Sequence, residues 1–193
     1  MEWKKKIPNW LTWFRILLVL PLTSILWLDD PILNWWALAL YLVAAITDYG
    51  DGYFARKFEA TSIEGQLLDP VADKVLVTSL LVMLLYQSKV DPLMVILILS
   101  RDLLVGGFRS IAAGEGRIMA AQKSGKWKTA LQMLALPLTI IEDTLRFQTG
   151  WDLSGLGFWL LWVGTLLSLA SGFQYFRYFQ KSRQAQASSK LPL

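Results

Sequence analysis

Long apolar runs alternate with short clusters of charge along this chain. Six stretches are apolar enough to be read as membrane spans: residues 10–28, 33–55, 66–87, 92–112, 125–141 and 156–176. At a helical rise of about 1.5 Å per residue, each approaches the roughly 30 Å hydrocarbon thickness of a bilayer. The fifth is the weakest, because lysines crowd its start. The pattern predicts an all-α integral membrane protein of six transmembrane helices, with a short interfacial segment before the first. Residues 1–180 form one membrane domain, and residues 181–193, "KSRQAQASSKLPL", read as a polar C-terminal tail.

Charge gives these spans a direction. Lys4, Lys5 and Lys6 precede the first, and Arg56 and Lys57 follow the second. Arg109, Arg117, Lys123, Lys126 and Lys128 lie between or near the fourth and fifth, and Arg177, Lys181, Arg183 and Lys190 follow the sixth. The alternate connections hold only Lys89 and Arg146, among Asp29, Asp30, Asp91, Glu142, Asp143 and Asp152. Such asymmetry predicts that both termini and the basic connections face the cytoplasm. The start, "MEWKKKIPNWLTWF", has no small-residue cleavage site and reads as a retained cytoplasmic end. Trp3, Trp10, Trp13, Trp35, Trp36, Trp151 and Trp159 fall near span ends, where indole suits the interface. The net charge of +4 is therefore a topology signal, and nucleic acid is not an expected partner.

Composition narrows the chemistry. Of 193 residues, 54% are hydrophobic and 18% charged, too few to give a soluble domain its polar surface. With neither cysteine nor histidine in the chain, any bound metal must be held by oxygen.

One stretch stands out: "DYGDGYFARKFEATSIEGQLLDPVADK", residues 48–74, places four aspartates between two apolar runs. Asp48 and Asp51 are three apart and Asp69 and Asp73 four apart, spacings that put each pair on one helix face. A carboxylate at mid-membrane costs about 2.5–3.5 kcal/mol on insertion scales, and four together repel one another. Divalent cations would neutralise them, and all-oxygen ligation favours Mg²⁺, Mn²⁺ or Ca²⁺. Solvated helix ends are the plain alternative, and Gly52, Ala55 and Gly65 could serve helix packing alone. On residues alone, a metal-dependent enzyme at the membrane face and a cation channel or transporter both remain open. Arg56 within the cluster leans towards a phosphate-handling enzyme.

The same stretch reads D-x-x-D-G-x-x-A-R, eight residues, then G-x-x-x-D-x-x-x-D, and it resembles the signature of the CDP-alcohol phosphotransferase family. "IPNWLTWFRI", "SRDLLVGGFRSIAA" and "AAQKSGKWKTALQ" look like the bacterial phosphatidylglycerophosphate synthase branch, so the resemblance covers most of the chain. It implies a six-helix core, usually paired as a homodimer in a bacterial inner membrane, with the active site facing the cytoplasm. It also implies transfer of a phosphatidyl group from CDP-diacylglycerol to an alcohol, with release of CMP. Asp48, Asp51, Asp69 and Asp73 would hold two divalent ions, Mg²⁺ or Mn²⁺, with Asp73 also the general base. Gly52, Ala55, Arg56 and Gly65 would receive the CDP-lipid.

For the acceptor, Arg101 lies inside an apolar span, where a lone cation is costly and usually functional. Arg109 follows two turns later, and Lys126 and Lys128 open the fifth span. Such a cluster suits a phosphorylated acceptor, glycerol 3-phosphate, or in a related enzyme an inositol phosphate. For the lysines, topology or lipid-headgroup binding is an equal reading.

Overall fold

Several helix ends in this protein fall where the sequence supplies capping groups. The computed structural model describes the backbone of residues 3–57, 63–114, 123–153 and 155–189. Its side chains are described apart from residues 3–8, 49, 51–57, 63–67, 69–70, 123–126 and 181–189. Among the described residues there are six helices and no strand: α1 Trp3–Trp27, α2 Asn34–Lys57, α3 Ile63–Tyr86, α4 Pro92–Gly114, α5 Lys123–Thr149 and α6 Leu156–Ser189.

The turns follow from local chemistry. Between α1 and α2, Asp29 takes a left-handed φ of 50°, and Asp30 Oδ1 accepts from the Ile32 N–H at 2.8 Å. Asp91 Oδ1 accepts from the Leu93 N–H at 2.7 Å and caps α4, whose first residue, Pro92, has no N–H to leave unpaired. Gly150, at φ 72°, closes α5 by donating its N–H to Arg146 O at 3.1 Å.

Each predicted span lies on one helix, overrunning it by no more than one residue at either end. α1 starts at Trp3, so the expected interfacial segment is continuous with the first span. α6 runs to Ser189, through nine residues of the predicted tail, where Arg, Gln and Ala favour helix and no proline intervenes. Asn9–Trp27 and Leu156–Gln180 are, among the described residues, the helical segments long and apolar enough to cross a membrane by themselves. The other helices carry charge in or beside their apolar runs.

The helices divide into two units. The first contains α1, α2, α3 and residues Leu136–Gly157. In it α1 packs against α2 and α3. The seam of α1 is Leu18, Leu22 and Leu26, spaced by four; α3 supplies Leu76, Leu80 and Leu84 in the same rhythm. α2 contributes Ala37, Tyr41 and Ala44, whose small members let backbones approach. At one end of this unit Trp27 stacks on Tyr86 with centroids 4.8 Å apart, and the Gln87 side-chain amide donates to Leu26 O at 2.8 Å. Thr144 Oγ1 donates to Pro31 O, and Trp35 Nε1 to Gln148 Oε1 at 3.1 Å. Gly157 is fully packed: a Cβ there would come within 2.8 Å of the Thr139 backbone nitrogen.

The second unit contains α4, α5 as far as Ala135, and α6 from Phe158. α5 thus contributes to both units, and Pro137 sits just past the division. Within this unit Phe108 of α4 lies against Phe176 and Phe179 of α6, with centroids 5.8 and 5.1 Å away.

Leucine, tryptophan and phenylalanine side chains in both units are widely exposed. Leu17 is 60% exposed, Leu103 69% and Leu166 60%, more apolar surface than water would tolerate and what a lipid environment requires.

Lys89 Nζ pairs with Asp143 Oδ2 at 2.7 Å and reaches Ile140 O at 3.5 Å. Glu142 beside them is buried, with Oε2 unpartnered. It lies just past the predicted fifth span. Burial pushes its carboxyl above the ordinary 4.5; Asp143 and Asp152 add to the rise, while Lys89 and the Gly155 N–H oppose it. A raised folded-state value means stability that is present below about pH 4.5 and is lost as pH climbs through the raised pKa. Glu142→Gln, which keeps an acceptor for Gly155, is expected to remove that loss. Thermal unfolding in detergent should show the variant gaining on the parent between pH 4.5 and 7, and a constant gap would refute the assignment.

Candidate active site

The aspartate stretch straddles the end of α2 and the start of α3. Asp48, Asp51, Gly52, Ala55 and Arg56 lie on α2; Gly65, Asp69 and Asp73 lie on α3. Both aspartate spacings are thus realised on continuous helix, where residues three or four apart share a face. The side chains of Asp51, Gly52, Ala55, Arg56, Gly65 and Asp69 fall outside the described residues, as does the connection 58–62.

Asp48 and Asp73 are described, both partly exposed. Asp48 Oδ1 lies 2.6 Å from Arg15 NH1 of α1. The arginine side chain is 1% exposed and the aspartate 34%, so the cation is sealed while the carboxylate stays reachable.

Among the described residues no three acidic, histidine or cysteine side chains converge on a metal position. Two of the four expected ligands are those whose side chains are not described. The two that can be assessed, Asp48 and Asp73, offer carboxylate oxygens with solvent access, and that chemistry suits a hard divalent ion.

A second constellation is built in the α4–α5–α6 unit. Arg101 is held on three sides: Nε donates to Ser168 O at 2.9 Å, NH1 to Asp102 Oδ1 at 3.0 Å, and NH2 to Ser171 Oγ. Asp102 Oδ1 also accepts from Lys128 Nζ. Adjacent helical residues diverge by about 100°, yet the long guanidinium arm turns back to its neighbour. Lys128 is 5% exposed. Arg109 is exposed, donates from NH2 to Tyr175 OH at 2.9 Å, and places its guanidinium carbon 5.3 Å from the centroid of that ring. Arg101, Arg109 and Lys128 therefore share one unit, Arg101 and Lys128 in one polar network through Asp102 and Arg109 in a separate contact with α6; the Lys126 side chain lies outside the described residues.

Sequence reasoning did not single out Arg15, Ser171 or Tyr175. A signal existed for Arg15, a lone cation in the apolar run from Leu11 to Leu28, which has to find a partner. Asp102 was legible as the neighbour of Arg101, but its bond to Lys128 was not.

Comparison with known proteins matches residues 5–170 to the model of the CDP-alcohol phosphatidyltransferase family. A CDP-diacylglycerol–glycerol-3-phosphate 3-phosphatidyltransferase of Rickettsia bellii is 34% identical over 181 residues, 94% of this chain and 99% of that protein. The protein of that name in Bacillus subtilis is 33% identical, over 88% of this chain and 93% of its own. Another in Mycoplasma genitalium is 36% identical, over 82% and 75%.

The Arg15–Asp48 pair makes an asymmetric prediction. Arg15→Met leaves a carboxylate with access to solvent, whereas Asp48→Asn leaves a guanidinium in a dry interior. Asp48→Asn is expected to lower stability more, by about 1–3 kcal/mol, and the double variant to be less destabilised than the sum of the two. Unfolding midpoints in one detergent would measure this, and strict additivity would mean that the pair contributes nothing.

Proposed function

The chain belongs to the CDP-alcohol phosphatidyltransferase family, and on that premise we propose that it is a phosphatidylglycerophosphate synthase. It transfers the phosphatidyl group of CDP-diacylglycerol to sn-glycerol 3-phosphate and releases CMP. The observation that carries this reading is near-full-length similarity to bacterial proteins named for that reaction. The matched region holds both the aspartate helices and the arginines of α4. Cation conduction, open on the acids alone, finds no support in that membership.

In the reaction, the acceptor hydroxyl oxygen bonds to the phosphorus that carries diacylglycerol. The bond from that phosphorus to CMP breaks, and CMP leaves with the electron pair. Asp73 takes the hydroxyl proton, a role open to a partly exposed carboxylate. Asp48, Asp51, Asp69 and Asp73 would hold two Mg²⁺ or Mn²⁺ ions. Such ions, when bound, offset the charge of the diphosphate and of the departing CMP. Arg15 keeps Asp48 oriented. Gly52, Ala55 and Gly65 leave room along α2 and α3 for the CDP-lipid, and Arg56 binds its phosphate. Arg101, Arg109, Lys126 and Lys128 bind the phosphate of the acceptor, a group that takes no part in bond making.

Purified protein given CDP-diacylglycerol should release CMP with glycerol 3-phosphate and not with serine or inositol phosphate. Activity should vanish with chelator and return with Mg²⁺ or Mn²⁺, while Asp51→Asn and Asp69→Asn stay nearly inactive. CMP release driven better by another alcohol would replace the acceptor, and full activity in chelator would remove the metals.

We further propose that all six helices cross a bacterial inner membrane, with both termini and residues 48–74 at the cytoplasmic face, in a homodimer. The support is the positive-inside asymmetry and the exposed apolar surface; the homodimer rests on the family resemblance. Ser88, exposed in the turn after α3, is then on the opposite face. Ser88→Cys in this cysteine-free chain should react with an impermeant maleimide applied outside the cell. Reaction only after the cytoplasmic side is opened would invert the topology.

A further inference from the structure

Four residues of α6 form a stripe that holds the arginines of α4. Ser168, Ser171, Gly172 and Tyr175 are spaced i, i+3, i+4, i+7, which is one face of a helix. Ser168 is 1% exposed, Ser171 0% and Tyr175 3%. Ser168 and Ser171 accept from Arg101, and Gly172 makes room for it: a Cβ at Gly172 would meet Arg101 Cγ at 3.1 Å. One turn on, Tyr175 meets Arg109 twice, through its hydroxyl at 2.9 Å and through its ring face. The tyrosine is buried and the arginine exposed, so Tyr175 is the fixed member and Arg109 the accessible one. Phe108, next to Arg109, is clasped by Phe176 and Phe179, which flank Tyr175 on α6. These ring contacts tie α4 to α6 beside the Arg109–Tyr175 pair.

We infer that Tyr175 is a positioning residue for the acceptor: it holds Arg109 so that the guanidinium meets the acceptor phosphate already aimed. The inference rests on the reading of Arg109 as a phosphate ligand and adds to it a residue beyond position 170, where the family match ends. A guanidinium has five N–H donors in a rigid fork and an arm with much rotamer freedom. Using one donor and the underside of the plane to fix the arm leaves outward donors in a set direction. The ordering cost is then met on folding and not on binding, which tightens the bound complex.

Tyr175→Phe tests this, because it keeps the ring and its volume and removes only the hydroxyl that Arg109 donates to. The KM for glycerol 3-phosphate should rise roughly three- to tenfold, less than the loss of the whole charge-assisted contact in Arg109→Ala. The KM for CDP-diacylglycerol and the unfolding midpoint should stay close to the parent's. With Arg109→Ala already in place, Tyr175→Phe should change the acceptor KM no further, since the group it positions is gone. An unchanged acceptor KM in Tyr175→Phe, with a raised one in Arg109→Ala, would overturn the role of Tyr175 and leave the acceptor reading standing. An equal rise for both substrates, or additivity with Arg109→Ala, would make Tyr175 a packing residue and also overturn the inference. An unchanged acceptor KM in Arg109→Ala would overturn both.

Discussion

A charge taken out of water must be met by an opposite charge or by several hydrogen bonds, and the rest of this structure depends on that requirement. Arg15 is wholly buried and lies 2.6 Å from Asp48. Lys89, 6% exposed at its side chain, lies 2.7 Å from Asp143. Arg101 and Lys128 share Asp102. Unpaired, each of these cations would cost several kcal/mol, so Arg15–Asp48 ties α1 to α2, Lys128–Asp102 ties α5 to α4, and Lys89–Asp143 ties the turn after α3 to α5. Leucines facing leucines or lipid supply no such penalty, because in a bilayer one apolar neighbour serves nearly as well as another. Sliding a helix by one turn moves a side chain by about 5.4 Å, which breaks any of the contacts between elements outright. The ion pairs therefore fix helix register where apolar packing leaves it loose.

The same contacts sit at the groups proposed to do chemistry. Asp48 belongs to the signature and is held by the most thoroughly buried cation described in α1. An aspartate kept reachable needs its other constraints supplied from inside, and an arginine suits that task because its charge is permanent and its donors are fixed in a plane. In the second unit Arg101 is fixed by a carbonyl, a carboxylate and a hydroxyl together. Structural and catalytic duties cannot be cleanly divided among such residues. Changes to them will move stability and rate together unless, as with a tyrosine hydroxyl, only one atom is removed.

Much of this was legible in the sequence, for reasons specific to each element. The six apolar runs correspond to six helices among the described residues, and in the proposed bilayer hydrocarbon would leave backbone groups no partner except one another. The helix ends were legible less well: α1 and α6 extend past their apolar runs, where lysine, glutamine and alanine favour helix without adding apolar length. For the candidate site, the spacing of the four aspartates placed them on helical faces as found, with Asp51 and Asp69 followed only by their backbone. The prominence of Arg101 in an apolar span likewise led to a real network. What the sequence did not disclose is which partners such groups take. Arg101 reads from sequence as a ligand-binding cation, and its hold by three groups of its own chain is not written there. Pairing across sequence gaps such as that between Arg15 and Asp48 depends on tertiary packing that no local pattern encodes.

The sixth helix shows most clearly why partners stay hidden. Read alone, residues 156–176 are a generic apolar run with a few serines and glycines, the composition of any packed membrane helix. Serine bonds its own helix as readily as another, and here Ser171 Oγ also reaches back to Ser168 O at 3.1 Å. Glycine signals close approach without saying to what. Tyrosine near a span end is the ordinary mark of an interface. Only when Arg101 and Arg109 of α4 are set beside this helix do Ser168, Ser171, Gly172 and Tyr175 resolve into one purpose. An arginine in a membrane announces itself by its cost, whereas the groups that offset that cost are small, neutral and common. In proteins of this kind the cations can be found from sequence, but the groups that orient them emerge only from the packing.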